Sequence, residues 1–187
     1  MRAHQRGIDK AAKLEFPCAL HIGCGVNVKP DWVNIDFTDE ADFPLDLREP
    51  LPFPDDSVRM IYSEHFFEHL SQEEGIRFLK EALRVLQPGG RISIGVPDGS
   101  LILRDYYDRE KWLKTRDRYH PAECTTPMHS VNYFFRQGGE HKYIYDAETL
   151  IETMRGCGFT GVHKRPWDST LDLESRRDGT LYVDGVK

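Results

Sequence analysis

"SVRMIYSEHFFEHLSQEEGIRFLKEALRVLQPGGRISIGVP", residues 57–97, reads as strand, helix, strand. SVRMIYS (57–63) is a short apolar run of strand type. SQEEGIRFLKEALRVLQPGG (71–90) predicts a helix. Ser71 can cap it, Glu74 completes a capping box, and Ile76, Leu79, Leu83 and Leu86 recur at helical spacing. Pro88-Gly89-Gly90 stops it, and RISIGVP (91–97) predicts the next strand. Further out, CALHIG (18–23) and WVNIDF (32–37) read as two earlier strands. DAETLIETMRGCGF (146–159) predicts a helix closed by Gly156 and Gly158, and TGVHKRP (160–166) and TLYVDGVK (180–187) predict two final strands. Strands and helices therefore alternate, which is the pattern of a doubly wound α/β sheet.

The 187 residues fit a single domain, read as 1–187 with an amino-terminal segment at 1–16. Residues 99–145 interrupt the alternation with a charged, aromatic stretch, long enough to predict a cap or lid. Within it, 101–120 reads as one amphipathic helix that buries Leu103, Tyr107 and Trp112. Gly138-Gly139 reads as a hinge or an ordinary turn. Hydrophobic content of 39% and charged content of 30% are those of a globular chain. The net charge of −6 argues against a large nucleic-acid footprint. No run is apolar enough to predict a membrane span, and the start lacks the apolar core of a signal peptide. Cys18, Cys24, Cys124 and Cys157 form no C-x-x-C pair, and free thiols fit a reducing, cytoplasmic setting.

Two stretches carry chemistry. LHIGCGVN (20–27) places Gly23 and Gly25 at the end of the first predicted strand, where glycine permits a tight turn and close approach of a ligand. Asp36 ends the second strand, where a carboxylate can accept the hydroxyls of a ribose. Val28 stands where a dinucleotide fingerprint needs glycine, so a ligand with a ribose and no phosphates suits the loop better. EHFFEHL (64–70) contains H-x-x-E-H, a zinc-peptidase pattern in which His65 and His69 would share one helix face. A zinc site there needs a distal ligand, for which Glu140 or Glu148 would have to serve, and it leaves the glycine loop unexplained. The plainer expectation has Phe66, Phe67 and Leu70 in the core and Glu68 and His69 as a solvated or hydrogen-bonded pair, with no metal.

ALHIGCG, VNIDF, LDLREPLPFPDDSVRMIYSEHFFEHL and FLKEALRVLQPGGRISIGVPD, in this order and spacing, resemble the successive motifs of class I S-adenosylmethionine-dependent methyltransferases. They are most similar to the small type 11 group, and HKYIYDAETLIETMRGCGF resembles its carboxyl-terminal part. The resemblance is close over 18–98 and loose over 141–187. It implies a mostly parallel, Rossmann-like sheet of seven strands with the last antiparallel, and methyl transfer from S-adenosyl-L-methionine. It also implies residue roles. Gly23, Cys24 and Gly25 would face the methionine part of the cofactor, Asp36 would hold the ribose, Asp46 the adenine amino group with Leu47 beside the ring, and Ser63 and Glu64 would lie at the sulfonium end. The sequence departs from the family pattern in three places. His21 replaces an acid that precedes the glycines, Asn27 replaces the third glycine, and Val26–Asp31 is too short for the first crossover helix, so segment 1–16 is a candidate to replace it.

In-line methyl transfer requires alignment, exclusion of water and, for a hydroxyl or protonated amine, a base. Histidine suits that role, and the candidates are His65, with Glu64 beside it, and the cap histidines His120, His129 and above all His141. The acceptor is expected to be a small molecule or carbohydrate-type compound, near Glu64, His65 and Asp98 and under the cap. Two other functions fit parts of the pattern: a non-catalytic cofactor-binding or regulatory domain, and a zinc hydrolase on His65, Glu68 and His69.

Overall fold

The computed structural model describes residues 2–38, 41–119 and 121–187, with side chains at all of these except 2 and 116–119. Seven strands form one sheet: β1 (Cys18–Ile22), β2 (Val33–Asp36), β3 (Phe43–Pro44), β4 (Val58–Glu64), β5 (Leu86–Pro97), β6 (Thr160–Arg165) and β7 (Thr180–Val186). Their order is β3-β2-β1-β4-β5-β7-β6. The β1–β5 pairings are parallel, and β7 runs antiparallel to both β5 and β6. The chain winds outward from β1 through β2 to β3, then returns to the other side of β1 as β4. This reversal leaves a crevice at the carboxyl ends of β1 and β4, where open α/β sheets bind ligands. Leu20, Ile22, Ile35, Ile61, Ile92, Ile94 and Val183 are fully buried along the sheet. Each such side chain contributes about 1.5–3 kcal/mol. The two-residue β3 is too short to show in the sequence.

The β4–β5 crossover contains α2 (Gln72–Val85). Its capping box is present: Ser71 Oγ accepts from the Glu74 amide at 3.3 Å, and Glu74 Oε2 accepts from the Ser71 amide at 2.8 Å. The helix turns Gly75, Phe78, Leu79, Ala82 and Val85 inward. The buried stripe is thus rotated from the expected one, leaving Ile76 and Leu83 only partly buried and Leu86 already in β5. No helix separates β1 from β2. Instead α1 (Arg2–Ala11) packs against β3, close enough that a Cβ on Gly7 would lie 2.6 Å from the Pro44 carbonyl oxygen. The amino-terminal segment does therefore supply a helix at this edge.

The cap comprises α3 (Gly99–Tyr107), α4 (Arg109–Tyr119) and α5 (Pro127–Arg136). The single helix expected over 101–120 is broken at Asp108, whose carboxylate accepts from the Lys111 amide at 3.0 Å. The break changes which face is buried. Trp112 is buried as expected, but Leu103 and Tyr107 are exposed, and Ile102 and Asp105 are buried in their place. Trp112 Nε1–H donates to Ser130 Oγ at 2.9 Å, tying α4 to α5. α6 (Ala147–Gly156) is capped by Asp146, which accepts from the Thr149 amide at 2.8 Å.

A buried ion cluster shapes the loop between β6 and β7. Arg165 donates to both oxygens of Asp172 at 2.6 and 2.7 Å, to Asp184 at 2.9 Å and to Ser93. The short 3₁₀ turn Glu174–Arg176 follows and brings Arg176 to the carboxyl edge of the sheet, where its Nη1 donates to the Glu64 carbonyl at 2.9 Å.

Candidate active site

Two cavities open at that carboxyl edge. The first, about 480 Å³, is lined by Gly23, Cys24, Gly25, Asp36, Asp46 and Leu47 among others. The second, about 440 Å³, lies under the cap between the end of β5 and helices α3 and α5, with Asp98, Arg104, Tyr133, Gln137 and His141 in its walls. His65 and Arg176 line both.

The two loop glycines have different physical reasons. Both have positive φ, +65° at Gly23 and +51° at Gly25. A Cβ on Gly23 would stand 2.4 Å from Phe66 Cβ, so packing excludes it, whereas a Cβ on Gly25 would meet nothing within 4 Å. The open space beside Gly25 belongs to the first cavity. Asp36 Oδ2 accepts from the Gly25 amide at 2.8 Å, and Oδ1 accepts from the amides of Phe37 and Thr38 at 2.6 and 3.2 Å. The carboxylate thus holds the glycine loop against β2. A carboxylate offers about four acceptor positions, so it retains capacity for a donor in the cavity. Phe37, 71% exposed, forms part of the cavity mouth.

A profile for a family described as a methyltransferase domain matches residues 20–94, which span β1 to β5 and most of the first cavity's lining. Residues 20–94 thus carry a class I S-adenosylmethionine-dependent methyltransferase domain. Solved structures carry the same fold. An S-adenosylmethionine-dependent methyltransferase from Mesorhizobium loti is similar at 16% identity and a TM-score of 0.55, over 99% of this chain and 98% of that one. One from Archaeoglobus fulgidus is similar at 17% identity and a TM-score of 0.56, over 98% and 90%. One from Methanosarcina mazei is similar at 16% and 0.56, over 94% and 95%. No curated protein matches the chain in sequence. The methyltransferase is an enzyme, and S-adenosylmethionine is its cofactor. Among its described residues, no helix is long and apolar enough to cross a membrane.

The methyltransferase brings most of the expected cofactor residues to one cavity. Gly23, Cys24, Gly25, Asp36, Asp46 and Leu47 line it, and His21 and Ser63 do not. His21 is buried, pairs through Nδ1 with Asn34 Oδ1 at 3.1 Å, and is pushed down to about 4 by burial. Ser63 is fully buried within β4. Asp46 is gripped by Arg48 at 2.8 and 2.6 Å, which holds its carboxyl below the usual range. Its amide donates to His4 Nδ1 of α1 at 3.0 Å, so the amino-terminal helix reaches the cavity wall.

The expected catalytic residues divide. Glu64 lines neither large cavity: it is buried, and its Oε1 accepts from the Tyr182 hydroxyl at 2.7 Å. His65 stands at the seam in a left-handed conformation, φ +56°. Its Nε2 pairs with Thr180 Oγ1 at 2.9 Å, and burial, then the Arg176 charge, pushes it down to about 3. His141 lines the second cavity. His129 lines neither and pairs with Thr125 at the cap surface, and His120 lies outside the described residues.

EHFFEHL is not an α-helix. After His65, Phe67–His69 makes one 3₁₀ turn, so His65 and His69 are not stacked on a helix face as the zinc-peptidase pattern requires. Phe67 and Leu70 are core, but Glu68 is not solvated: it is 1% exposed. Neither of its carboxylate oxygens has a hydrogen-bond partner among the described residues. Burial pushes it up to about 8. Sequence reasoning missed Arg176, Phe37 and Lys142, which also line the first cavity. Arg176 sits in a short turn far along the chain with no motif around it, and Lys142 lies at the start of the loosely similar HKYIYDAETLIETMRGCGF stretch without any residue-level signal of its own. Phe37 carried a signal, being an aromatic residue directly after the strand-end carboxylate.

Proposed function

We propose that the methyltransferase transfers its methyl group to a small-molecule or carbohydrate-type acceptor seated in the second cavity, by in-line displacement past His65. The observation that carries this is the meeting of the two cavities at His65 and Arg176. S-adenosylmethionine, when bound, supplies an electrophilic methyl on a sulfonium sulfur. Gly23, Gly25 and Asp36 are the residues to hold it in the first cavity, with Leu47 and Phe37 as apolar walls. The second cavity offers Asp98, Arg104, Gln137 and Asp178 as hydrogen-bonding groups and Leu101, Ile102 and Phe134 as apolar ones. That mixture suits a polyhydroxylated or other small polar acceptor. The cap helices cover one side of it, which favours alignment of an acceptor.

Burial and the Arg176 charge keep the His65 imidazole neutral near neutral pH, so it can accept a hydrogen bond from the acceptor side. Pushed down to about 3, it is a weaker proton acceptor than the base near 6.5 expected from the sequence. Thr180 lines the second cavity and is bonded to His65, so its hydroxyl links the acceptor space to the imidazole. The test incubates the protein with methyl-labelled cofactor and a metabolite extract and searches for mass-shifted products. A labelled small molecule is expected. His65→Ala should lower its formation by about 10²-fold, with cofactor affinity changed by no more than a few-fold. Label found only on protein or nucleic acid would overturn the acceptor assignment, and normal turnover by His65→Ala would make His65 a structural residue.

A further inference from the structure

Glu68, His69 and His141 converge where the two cavities adjoin. One ligand-capable atom of each lies within 4.8 Å of the other two. His69 lines the first cavity and His141 the second. Glu68 is 1% exposed, neither of its carboxyl oxygens has a hydrogen-bond partner among the described residues, and Oε1 lies 3.8 Å from His65 Nδ1 and 3.9 Å from His69 Nε2. A carboxyl buried without a hydrogen-bond partner is held neutral unless something supplies positive charge.

Both histidines are oriented for the same purpose. His69 Nδ1 is 3.2 Å from the Glu140 carbonyl oxygen, and His141 Nδ1 is 2.6 Å from the Phe134 carbonyl oxygen. A carbonyl can only accept, so each Nδ1 carries the proton and each Nε2 keeps its lone pair. His69 Nε2 faces Glu68 Oε1 at 3.9 Å. The rings of His69 and His141 stand edge to face with centroids 5.1 Å apart. Histidines that ligate metals are held in this way, with the far ring N–H donated to a backbone carbonyl that fixes tautomer and direction. Two imidazole lone pairs and a buried carboxyl thus gather in one cluster.

We propose that Glu68, His69 and His141 bind one divalent transition-metal ion. Two imidazoles, one carboxylate and no thiolate select a borderline ion such as zinc, cobalt, iron(II) or manganese. Donors around a tetrahedral ion at about 2.1 Å stand roughly 3.4 Å apart, so modest side-chain rotation closes the cluster. The motif that suggested a peptidase contributes only its last two members. His65 gives its Nε2 to Thr180 while its Nδ1 stays 3.8 Å from Glu68 Oε1, outside the cluster, and His141, which no spacing rule links to EHFFEHL, completes the set. Three protein ligands leave positions open at the seam between the cavities. An acceptor oxygen could take one, and a metal-bound hydroxyl is more acidic than a free one. This last role rests on the methyl-transfer reading above, whereas the site itself does not.

The test uses the untagged full-length protein, stripped of metal, titrated with cobalt(II) and followed by visible absorption, then with zinc(II) in competition. The parent should take up one equivalent. Glu68→Gln, His69→Ala and His141→Ala should each weaken uptake by roughly 100-fold or more, while His129→Ala and His163→Ala leave it unchanged. Absence of stoichiometric uptake by the parent, or parent-like affinity in folded Glu68→Gln and His141→Ala, would overturn the site. Circular dichroism reports folding, and if the buried Glu68→Gln variant does not fold, His141→Ala decides. Uptake lost in the variants together with an acceptor screen that yields no product would sustain the site and count against the methyl-transfer reading.

Discussion

Alanine at Gly23 and at Gly25 should damage the protein in different ways, although the two glycines sit in one loop. Both have positive φ. Holding an alanine there costs about 1–2 kcal/mol at either position. At Gly23 the new Cβ also stands 2.4 Å from Phe66 Cβ and 2.7 Å from Cγ. Such overpacking adds about 1–3 kcal/mol, so Gly23→Ala should lose about 2–5 kcal/mol in all. In a chain of this size 1 kcal/mol is worth about 2–4 °C of Tm. Gly25→Ala should therefore lower Tm by about 2–8 °C, and Gly23→Ala by about 4–20 °C. The Gly25 methyl meets no protein atom within 4 Å and occupies space at the wall of the first cavity. Its effect should appear on adding cofactor. S-adenosylmethionine at 100 Kd should stabilise the parent by about 2.7 kcal/mol, a rise of about 5–11 °C. In Gly25→Ala that rise should fall by more than half, in a protein that is folded without ligand. Thermal melts of three proteins with and without cofactor measure all of this. A full ligand-induced rise in Gly25→Ala would refute the placing of the cofactor against this loop. A Gly23→Ala no less stable than Gly25→Ala would refute the packing argument at Phe66.

Asp36→Asn should weaken cofactor binding by about 1.5–3 kcal/mol, the scale of a hydrogen bond to a charged group, and titration calorimetry on the folded variant would show an unchanged Kd if the assignment is wrong. Asp172→Ala should remove the two-pronged partner of Arg165, leave it with Asp184 and Ser93, and destabilise the fold by about 1.5–3 kcal/mol, measurable by urea unfolding; a loss below 1 kcal/mol would mean that water enters the cluster. His21 falls from 6.5 to about 4 on folding because burial disfavours its charge. The unfolded chain therefore binds the extra proton, and the stabilisation is complete above pH 6.5 and lost as pH falls toward 4, by about 3 kcal/mol. His21→Gln should remove that part of the acid sensitivity, and identical pH profiles for parent and variant would contradict it. Amide exchange across 121–142 should be faster than in β1, β4 and β5, and should slow when cofactor and acceptor are both bound; exchange as slow as in the sheet would make the cap a fixed wall.

The alternation of apolar strands with the amphipathic 71–86 segment was enough to specify a doubly wound sheet, because period and capping are local properties of the chain. Gly23, Gly25 and Asp36 were legible for the same reason: each lies at a strand end, and strand ends in such a sheet converge at its carboxyl edge. The two-residue β3 was not legible, being too short for any periodicity. The break at Asp108 was missed because the 101–120 pattern allows one continuous helix. Only the packing of α3, α4 and α5 decides that Ile102, Asp105 and Trp112 turn inward and Tyr107 outward. EHFFEHL shows the limit most clearly. Its residue types announced metal chemistry or packing, but His65 gives its Nε2 to Thr180, and His141 arrives beside Glu68 and His69 from beyond the cap. Arg176 reaches the seam only because the buried Arg165–Asp172 pair folds its loop back over β4 and β7. The elements are set by short-range sequence pattern. Which loop residues meet at the site is set by long-range packing, and no local spacing encodes it.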